Sequence, residues 1–190
     1  MGQWCSGYLE SGLGIPKIWG DIFGVALFSL MLGLGRTLYG KYGKNITKML
    51  LIGSIGATLC YLIAAISSIS LIGLIACVFA GLSVSILWPG TLIVAADRFP
   101  KAGIFVFAIM AAGGDLGASV GPQLVGIIAD LPEKVPKLMK FASYLDIEPL
   151  ELGLRLGIFV ASLFPLLAVL IYLKILKSKS FNSQSIKNSD

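Results

Sequence analysis

Residues 46–66 read ITKMLLIGSIGATLCYLIAAI, and Lys48 is the one charged residue among these 21. About 20 consecutive apolar residues in a helix are enough to cross the hydrocarbon core of a bilayer. Similar apolar stretches lie on both sides, so the sequence predicts five transmembrane spans, near residues 18–38, 46–66, 69–96, 103–129 and 152–176. Each span must satisfy its backbone hydrogen bonds internally in lipid. The predicted fold is therefore all-α, a polytopic transmembrane helical bundle.

The composition favours the same class. Hydrophobic residues make up 56% of the 190-residue chain and charged residues 13%, about half the charged share of an average soluble domain. The net charge of +5 arises from basic residues clustered between apolar runs, as in membrane proteins, which argues against a nucleic-acid partner. The chain has no His, so imidazole metal sites and Ser-His catalysis are excluded. No catalytic grouping or phosphate-binding loop is present, and we expect neither an enzyme nor a cofactor or metal.

The basic residues of the short loops predict how the chain crosses the membrane. The turn after the second span, residues 67–68, carries no charge. Basic clusters follow the first, third and fifth spans: Arg36, Lys41, Lys44 and Lys48; Arg98 and Lys101; Lys174, Lys177 and Lys179. The side with these clusters is predicted to be cytoplasmic, with the N-terminus outside and the C-terminus inside. We expect a multi-pass protein of the plasma (inner) membrane, with residues 177–190 forming a disordered cytoplasmic tail.

Asp115 is the most informative single residue. It lies twelve residues into the fourth span, hence about 18 Å deep and near the middle of the bilayer. An ionisable group there costs at least about 2.5 kcal/mol unless water or a partner reaches it. At 100° per residue, Ser119 and Pro122 lie on the same face. Asp115 is therefore a candidate acceptor for a sugar hydroxyl or a candidate proton-coupling carboxylate, with a structural hydrogen bond to a neighbouring helix as the alternative. Gln123, also in this span, is left open between the solute site and an interhelical bond.

Three glycines of the same span, Gly113, Gly117 and Gly121, recur at every fourth residue. They form a stripe nearly opposite Asp115. Small residues at this spacing let two transmembrane helices approach closely. We predict helix packing on the glycine face and a polar path along the opposite one.

In the third span, Trp88 is followed by Pro89, Gly90 and Thr91. Trp88 lies deeper than the aromatic residues of a membrane-interface belt. The Pro-Gly pair predicts a kink that frees backbone carbonyls. The Trp88 ring and the Thr91 hydroxyl are candidates for stacking on, and bonding to, a sugar, with helix packing as the alternative.

The segment between the first two spans, residues 35–44, reads GRTLYGKYGK. Its glycines allow tight turns and close backbone approach. Arg36, near the negative end of a helix dipole, is suited to pair with an acid or with carbonyls at an adjoining helix end. We predict a gating loop formed by Gly35, Arg36, Gly40, Gly43 and Lys44, with plain anchoring at the cytoplasmic surface as the alternative.

Several segments resemble the C-terminal half of a transporter of the major facilitator superfamily, and the nearest subgroup is the fucose-permease-like sugar transporters. Residues 3–10 resemble the outer end of that fold's seventh helix, residues 28–40 its eighth helix and the loop after it. Residues 88–100 resemble its tenth helix and residues 112–130 its eleventh. The loop matches the family pattern at its glycines and basic residues but lacks the family's Asp-Arg pair. The resemblance implies that the five spans correspond to helices 8–12 of a twelve-helix fold, with a helix stub and outer loop in residues 1–17.

In that fold the solute site lies near the middle of the membrane, between two halves that rock around it. The resemblance therefore implies a partial secondary-active transporter for a small polar solute such as a sugar, with proton symport left open. Its expected partners are the lipid bilayer, the solute and a missing N-terminal transporter half, without which we expect no transport. The alternative is a small membrane scaffold or subunit that packs through glycine-rich helix faces.

Overall fold

The computed structural model describes residue 10 and residues 16–67, 69–101 and 103–187. Every regular element in these ranges is helical. In chain order they are α1 (Lys17–Trp19), the π-helix π1 (Gly20–Ala26), α2 (Leu27–Tyr42), α3 (Ile46–Ile66), α4 (Ser70–Val84), α5 (Leu87–Arg98), α6 (Gly103–Ala129), α7 (Leu131–Lys134), α8 (Pro136–Tyr144), α9 (Pro149–Ala161) and α10 (Leu163–Lys187). Residues 1–9 and 11–15, which hold most of the predicted stub and outer loop, lie outside the described residues.

Five helical stretches are long and apolar enough to cross a membrane, which confirms the five predicted spans by length and composition. They are Lys17–Tyr42, Ile46–Ile66, Leu71–Arg98, Gly103–Lys134 and Pro149–Ser178. The predicted fourth span, residues 103–129, coincides with α6. This is the architecture of a multi-pass helical membrane protein.

Two of the five spans are broken near their middle, although each was predicted as a single span. The third is interrupted at residues 85–86, between α4 and α5, and the fifth at Ser162, between α9 and α10. A proline follows each break within one turn: Pro89 in α5 and Pro165 in α10. Proline has no N–H to continue the helical ladder and its ring clashes with the preceding turn, so the break lies just before it.

The second span, α3, is the centre of the bundle and packs against α4, α5, α9 and α10. One buried cluster joins its second half to α4, α6 and α9, mostly through small residues, with members Ala64, Ala65, Ala76, Cys77, Ala129, Leu154 and Ile158. A second cluster joins its first half to the two broken spans through Leu50, Ile86, Val94 and Tyr172. Alanine and glycine at these contacts let the helices approach closely, as is usual where lipid removes most of the hydrophobic driving force.

The fourth span, α6, lies at the edge of the bundle. Its last two turns pack on α9, where Val125 and Ala129 are its only buried residues. No residue of its most apolar 18-residue window is buried. Most side chains of this helix are therefore not covered by the rest of the described chain.

In the structure α10 continues past residue 176, where the tail was predicted to begin, and ends at Lys187. A disordered cytoplasmic tail remains a prediction. No Gly or Pro occurs after Pro165. Lys, Gln and Ser cost little in a helix, so polar composition alone did not require the helix to end at the membrane.

Candidate functional site

The break between α4 and α5 removes the helical donor of one backbone carbonyl. In a continuous helix the N–H of residue 89 would bond to the carbonyl of residue 85, but Pro89 has no N–H. Instead, the carbonyl of Ser85 accepts a hydrogen bond from Nε of Arg36 at 3.1 Å. The Ser85 hydroxyl donates to the carbonyl of Leu82 at 2.7 Å. A guanidinium from α2 thus satisfies a carbonyl in the middle of the third span, where an unsatisfied group is costly.

Arg36 reaches this carbonyl because the backbone beside it is a glycine. A Cβ at Gly35 would overlap the Ser85 side chain and lie 3.2 Å from Cδ1 of Leu82. Arg36 itself lies six residues before the end of α2, about 9 Å inside the helix end. Of the two kinds of partner expected for Arg36, the structure has the carbonyl at a helix end. The gating role remains a prediction.

The predicted gating loop is mostly helix. Gly35, Arg36 and Gly40 lie within α2, which extends four residues beyond the predicted end of the first span at residue 38. Of the predicted members, Gly43 and Lys44 alone lie in the connection to α3. A glycine weakens a helix by about 1 kcal/mol, which does not end a helix that packs along α4.

Beside the break, Trp88 contacts the residue that precedes Asp115 in the fourth span. The ring of Trp88, at the start of α5, packs against Gly114 of α6, where a Cβ would stand 2.6 Å from Cη2 of the ring. Asp115 is the next residue, and its side chain is exposed. Within the described ranges, the Asp115 carboxylate makes no hydrogen bond or ion pair. The structural bond considered as the alternative for Asp115 is therefore not formed within this part of the chain.

The polar residues that follow Asp115 lie along the open side of α6. Ser119, one turn on, donates its hydroxyl to the backbone carbonyl of Asp115 at 2.9 Å and is exposed. Gln123, one turn further, is exposed as well. These side chains offer a carboxylate, a hydroxyl and an amide along one exposed side of α6.

Thr91, the remaining predicted site residue, links two helices. Its hydroxyl donates to the carbonyl of Leu87, and its Oγ1 lies 2.6 Å from the hydroxyl of Tyr172 in α10. Because the single proton of Thr91 is already used, Tyr172 is the donor in this pair. Thr91 and Tyr172 line a cavity of about 300 Å³ between α5, α6 and α10. The packing expected as the alternative for Thr91 is present here.

The glycine stripe of α6 packs against nothing in the described chain. A Cβ at Gly113, Gly117 or Gly121 would meet no heavy atom within 4 Å. Apart from Gly114 beside Trp88, the close glycine contacts along α6 come from its neighbour α9, whose Gly153 and Gly157 pack on the α6 backbone and on Val125. This contact determines which side of α6 faces the bundle, and the stripe of Gly113, Gly117 and Gly121 lies on another side. Packing of the stripe against another chain remains a prediction.

Sequence reasoning missed one polar pair inside the fifth span. Arg155 Nη2 lies 2.5 Å from Glu151 Oε1, and the two side chains are 14% and 19% exposed. The spacing of four residues along a helix was the available signal. It was passed over because both residues lie near the predicted outer end of the span. Elsewhere in the described chain, no group of three metal-ligating side chains lies together.

Comparison with known proteins finds no matching protein-family model, no matching curated protein and no matching solved structure. The site therefore has to be interpreted from its own residues.

Proposed function

We propose that the chain forms one wall of a secondary-active transporter for a small polar solute such as a sugar, and that an N-terminal half supplies the other wall. The observation that carries the proposal is Asp115, an ionisable group in the interior of an apolar helix of 27 residues, on a side that the described chain leaves open. In lipid such a group costs at least about 2.5 kcal/mol. A water-filled path between two halves would remove that cost.

The broken spans support the same proposal. Secondary transporters commonly bind their solute near the midplane, beside discontinuous helices whose backbone lines a cavity. Here the third span is broken at Ser85, and Trp88, next to that break, packs against Gly114, the residue before Asp115. The resemblance to the major facilitator superfamily adds to this. We place the C-terminus in the cytoplasm of a plasma membrane and keep proton symport as an option for the carboxylate.

Uptake by reconstituted protein tests the proposal. The purified chain in proteoliposomes is expected to take up labelled monosaccharides no faster than empty vesicles, since it provides one wall of the path. Co-reconstitution with the polypeptide encoded immediately upstream, if that DNA encodes further apolar spans, is expected to produce uptake. Robust uptake by this chain alone would refute the one-wall account, and no uptake by the pair would refute transport.

Arg36→Ala in the transporting pair tests gating. The Ser85 carbonyl loses its donor, so the equilibrium between conformations shifts, and we expect slower transport with unchanged far-ultraviolet circular dichroism. Lys101→Ala removes a charge from the connection between the third and fourth spans, outside the predicted gating loop, and is the control. Transport kinetics unchanged by Arg36→Ala would remove the gating role.

One observation favours the alternative, a small membrane scaffold or subunit. The stripe of Gly113, Gly117 and Gly121 has open space beside it in the described chain, as a surface for another transmembrane helix would. If that is its role, Gly117→Leu should abolish association with the partner, whereas Asp115→Asn should have no effect. A transporter wall predicts that Asp115→Asn has the larger effect.

A further inference from the structure

A cavity of about 480 Å³ lies between α2, α3 and the end of α4. Its walls are largely apolar, formed by side chains such as Leu38, Met49 and Ile52, and by the backbone of Gly53 and Gly56. Leu38 and Ile52 at its rim are 51% and 64% exposed. Because these rim residues are exposed, the cavity opens sideways, towards the surroundings of the helices. Its volume lies within the range of small-molecule sites.

Basic residues lie on or beside the helices that form this cavity, and the same helices, α2, α3 and α4, contain no acidic residue. Arg36 donates to the carbonyl of Ser85, which lines the cavity. Lys41 Nζ lies 5.3 Å from the centre of the Tyr42 ring, which also lines it. Lys44 and Lys48 adjoin further lining residues in the sequence, and residues 22–96 contain no Asp or Glu.

An apolar slot open towards lipid, with uncompensated cations around it, matches one ligand chemistry. We propose that this cavity holds an acyl chain of an anionic phospholipid, whose phosphate lies against Lys41, Lys44 and Lys48. Basic pockets between transmembrane helices on the cytoplasmic side bind anionic headgroups in this way. Lysine side chains reach from the helix ends to the headgroup level. A neutral polar solute would leave both the apolar walls and the charges unmatched.

This lipid site uses neither Asp115 nor the open side of α6, but it shares Gly35, Gly43 and Lys44 with the predicted gating loop. It does border the break, since Ser85 and Ile86 line the cavity. A bound acyl chain would therefore fill the space beside the Arg36 contact and stabilise it.

Native mass spectrometry of the purified full chain, with equimolar dioleoyl phosphatidylglycerol and dioleoyl phosphatidylcholine, tests the site. We expect selective retention of phosphatidylglycerol. The triple variant Lys41→Gln, Lys44→Gln, Lys48→Gln should weaken it at least about tenfold, because each basic residue near the surface attracts anionic lipid. The control triple Lys101→Gln, Lys174→Gln, Lys177→Gln removes the same charge elsewhere and should retain most of the selectivity.

A second pair of variants tests the cavity itself. Leu38→Trp adds volume at the rim and is expected to displace the lipid. Leu34→Trp, one turn earlier on the same helix and 45% exposed but away from the cavity, should not. Three results would overturn the proposal: no preference for phosphatidylglycerol, equal losses in the two triple variants, or full retention by Leu38→Trp. If a helix of a second chain fills the cavity instead, the spectrum should show no preference for phosphatidylglycerol and a dimer mass.

Discussion

Pro89→Ala should change what Arg36 contributes to the free energy of unfolding. It restores a backbone N–H at position 89, and this N–H competes with Arg36 for the Ser85 carbonyl. In the wild-type chain, Arg36→Met leaves the Ser85 carbonyl without a donor inside the third span. A hydrogen bond to a charged group contributes about 1.5–3 kcal/mol, and the exposed Arg36 side chain argues for the lower end, about 1.5 kcal/mol. With Ala at position 89, the backbone N–H regains its helical acceptor at Ser85. Arg36→Met should then cost less than about 0.5 kcal/mol, a coupling of about 1 kcal/mol.

Reversible unfolding in mixed micelles with increasing sodium dodecyl sulfate measures this double-mutant cycle, with helicity by circular dichroism as the signal. Pro165→Ala combined with Arg36→Met is the matched control, since Pro165 follows the other helix break and its carbonyl partner lies in a different span. That cycle should be additive. If Pro89→Ala and Arg36→Met add to within about 0.3 kcal/mol, the account of the Ser85 carbonyl is refuted.

Four further variants test three separate features. Asp115→Asn in the transporting pair should lower the apparent affinity for solute or flatten the pH profile of uptake; normal affinity with a normal profile would count against a functional carboxylate. Gly157→Leu should destabilise the chain by more than about 2 kcal/mol because it collides with α6, whereas Gly117→Leu, which meets open space, should stay within about 0.5 kcal/mol of wild type; equal losses in micelle unfolding would contradict the packing described. Tyr172→Phe should cost about 0.5–1.5 kcal/mol through loss of its bond to Thr91, and unchanged unfolding would show that this bond contributes nothing.

The spans were predictable because a single physical requirement, about 20 apolar residues per crossing, decides them. The fourth span agrees with α6 to the residue. The break in the third span was predicted as a kink from Pro89, but its position at residues 85–86 was not. Because Pro89 has no N–H, the carbonyl without a helical donor is the one four residues earlier, at Ser85.

Tertiary contacts decided what the sequence pattern left open. The spacing of Gly113, Gly117 and Gly121 is the same as that of Gly153 and Gly157, yet only the second pair packs within the described chain. Which glycine stripe is used depends on which side of α6 faces α9, and this is set by many contacts along both helices. The partner of Arg36 was likewise undetermined, because a carbonyl freed by Pro89 is 49 residues away in the chain.

Labelling with a water-soluble maleimide in intact cells tests the central claim, that the Asp115 side of α6 faces a water-accessible path. In a background without Cys5, Cys60 and Cys77, a cysteine is introduced by Ser119→Cys or by Gly117→Cys, at similar depth on opposite sides of the helix. We predict that Ser119→Cys reacts at least tenfold faster and that solute slows its reaction. Equal rates at the two positions, or no reaction at either, would contradict the proposal.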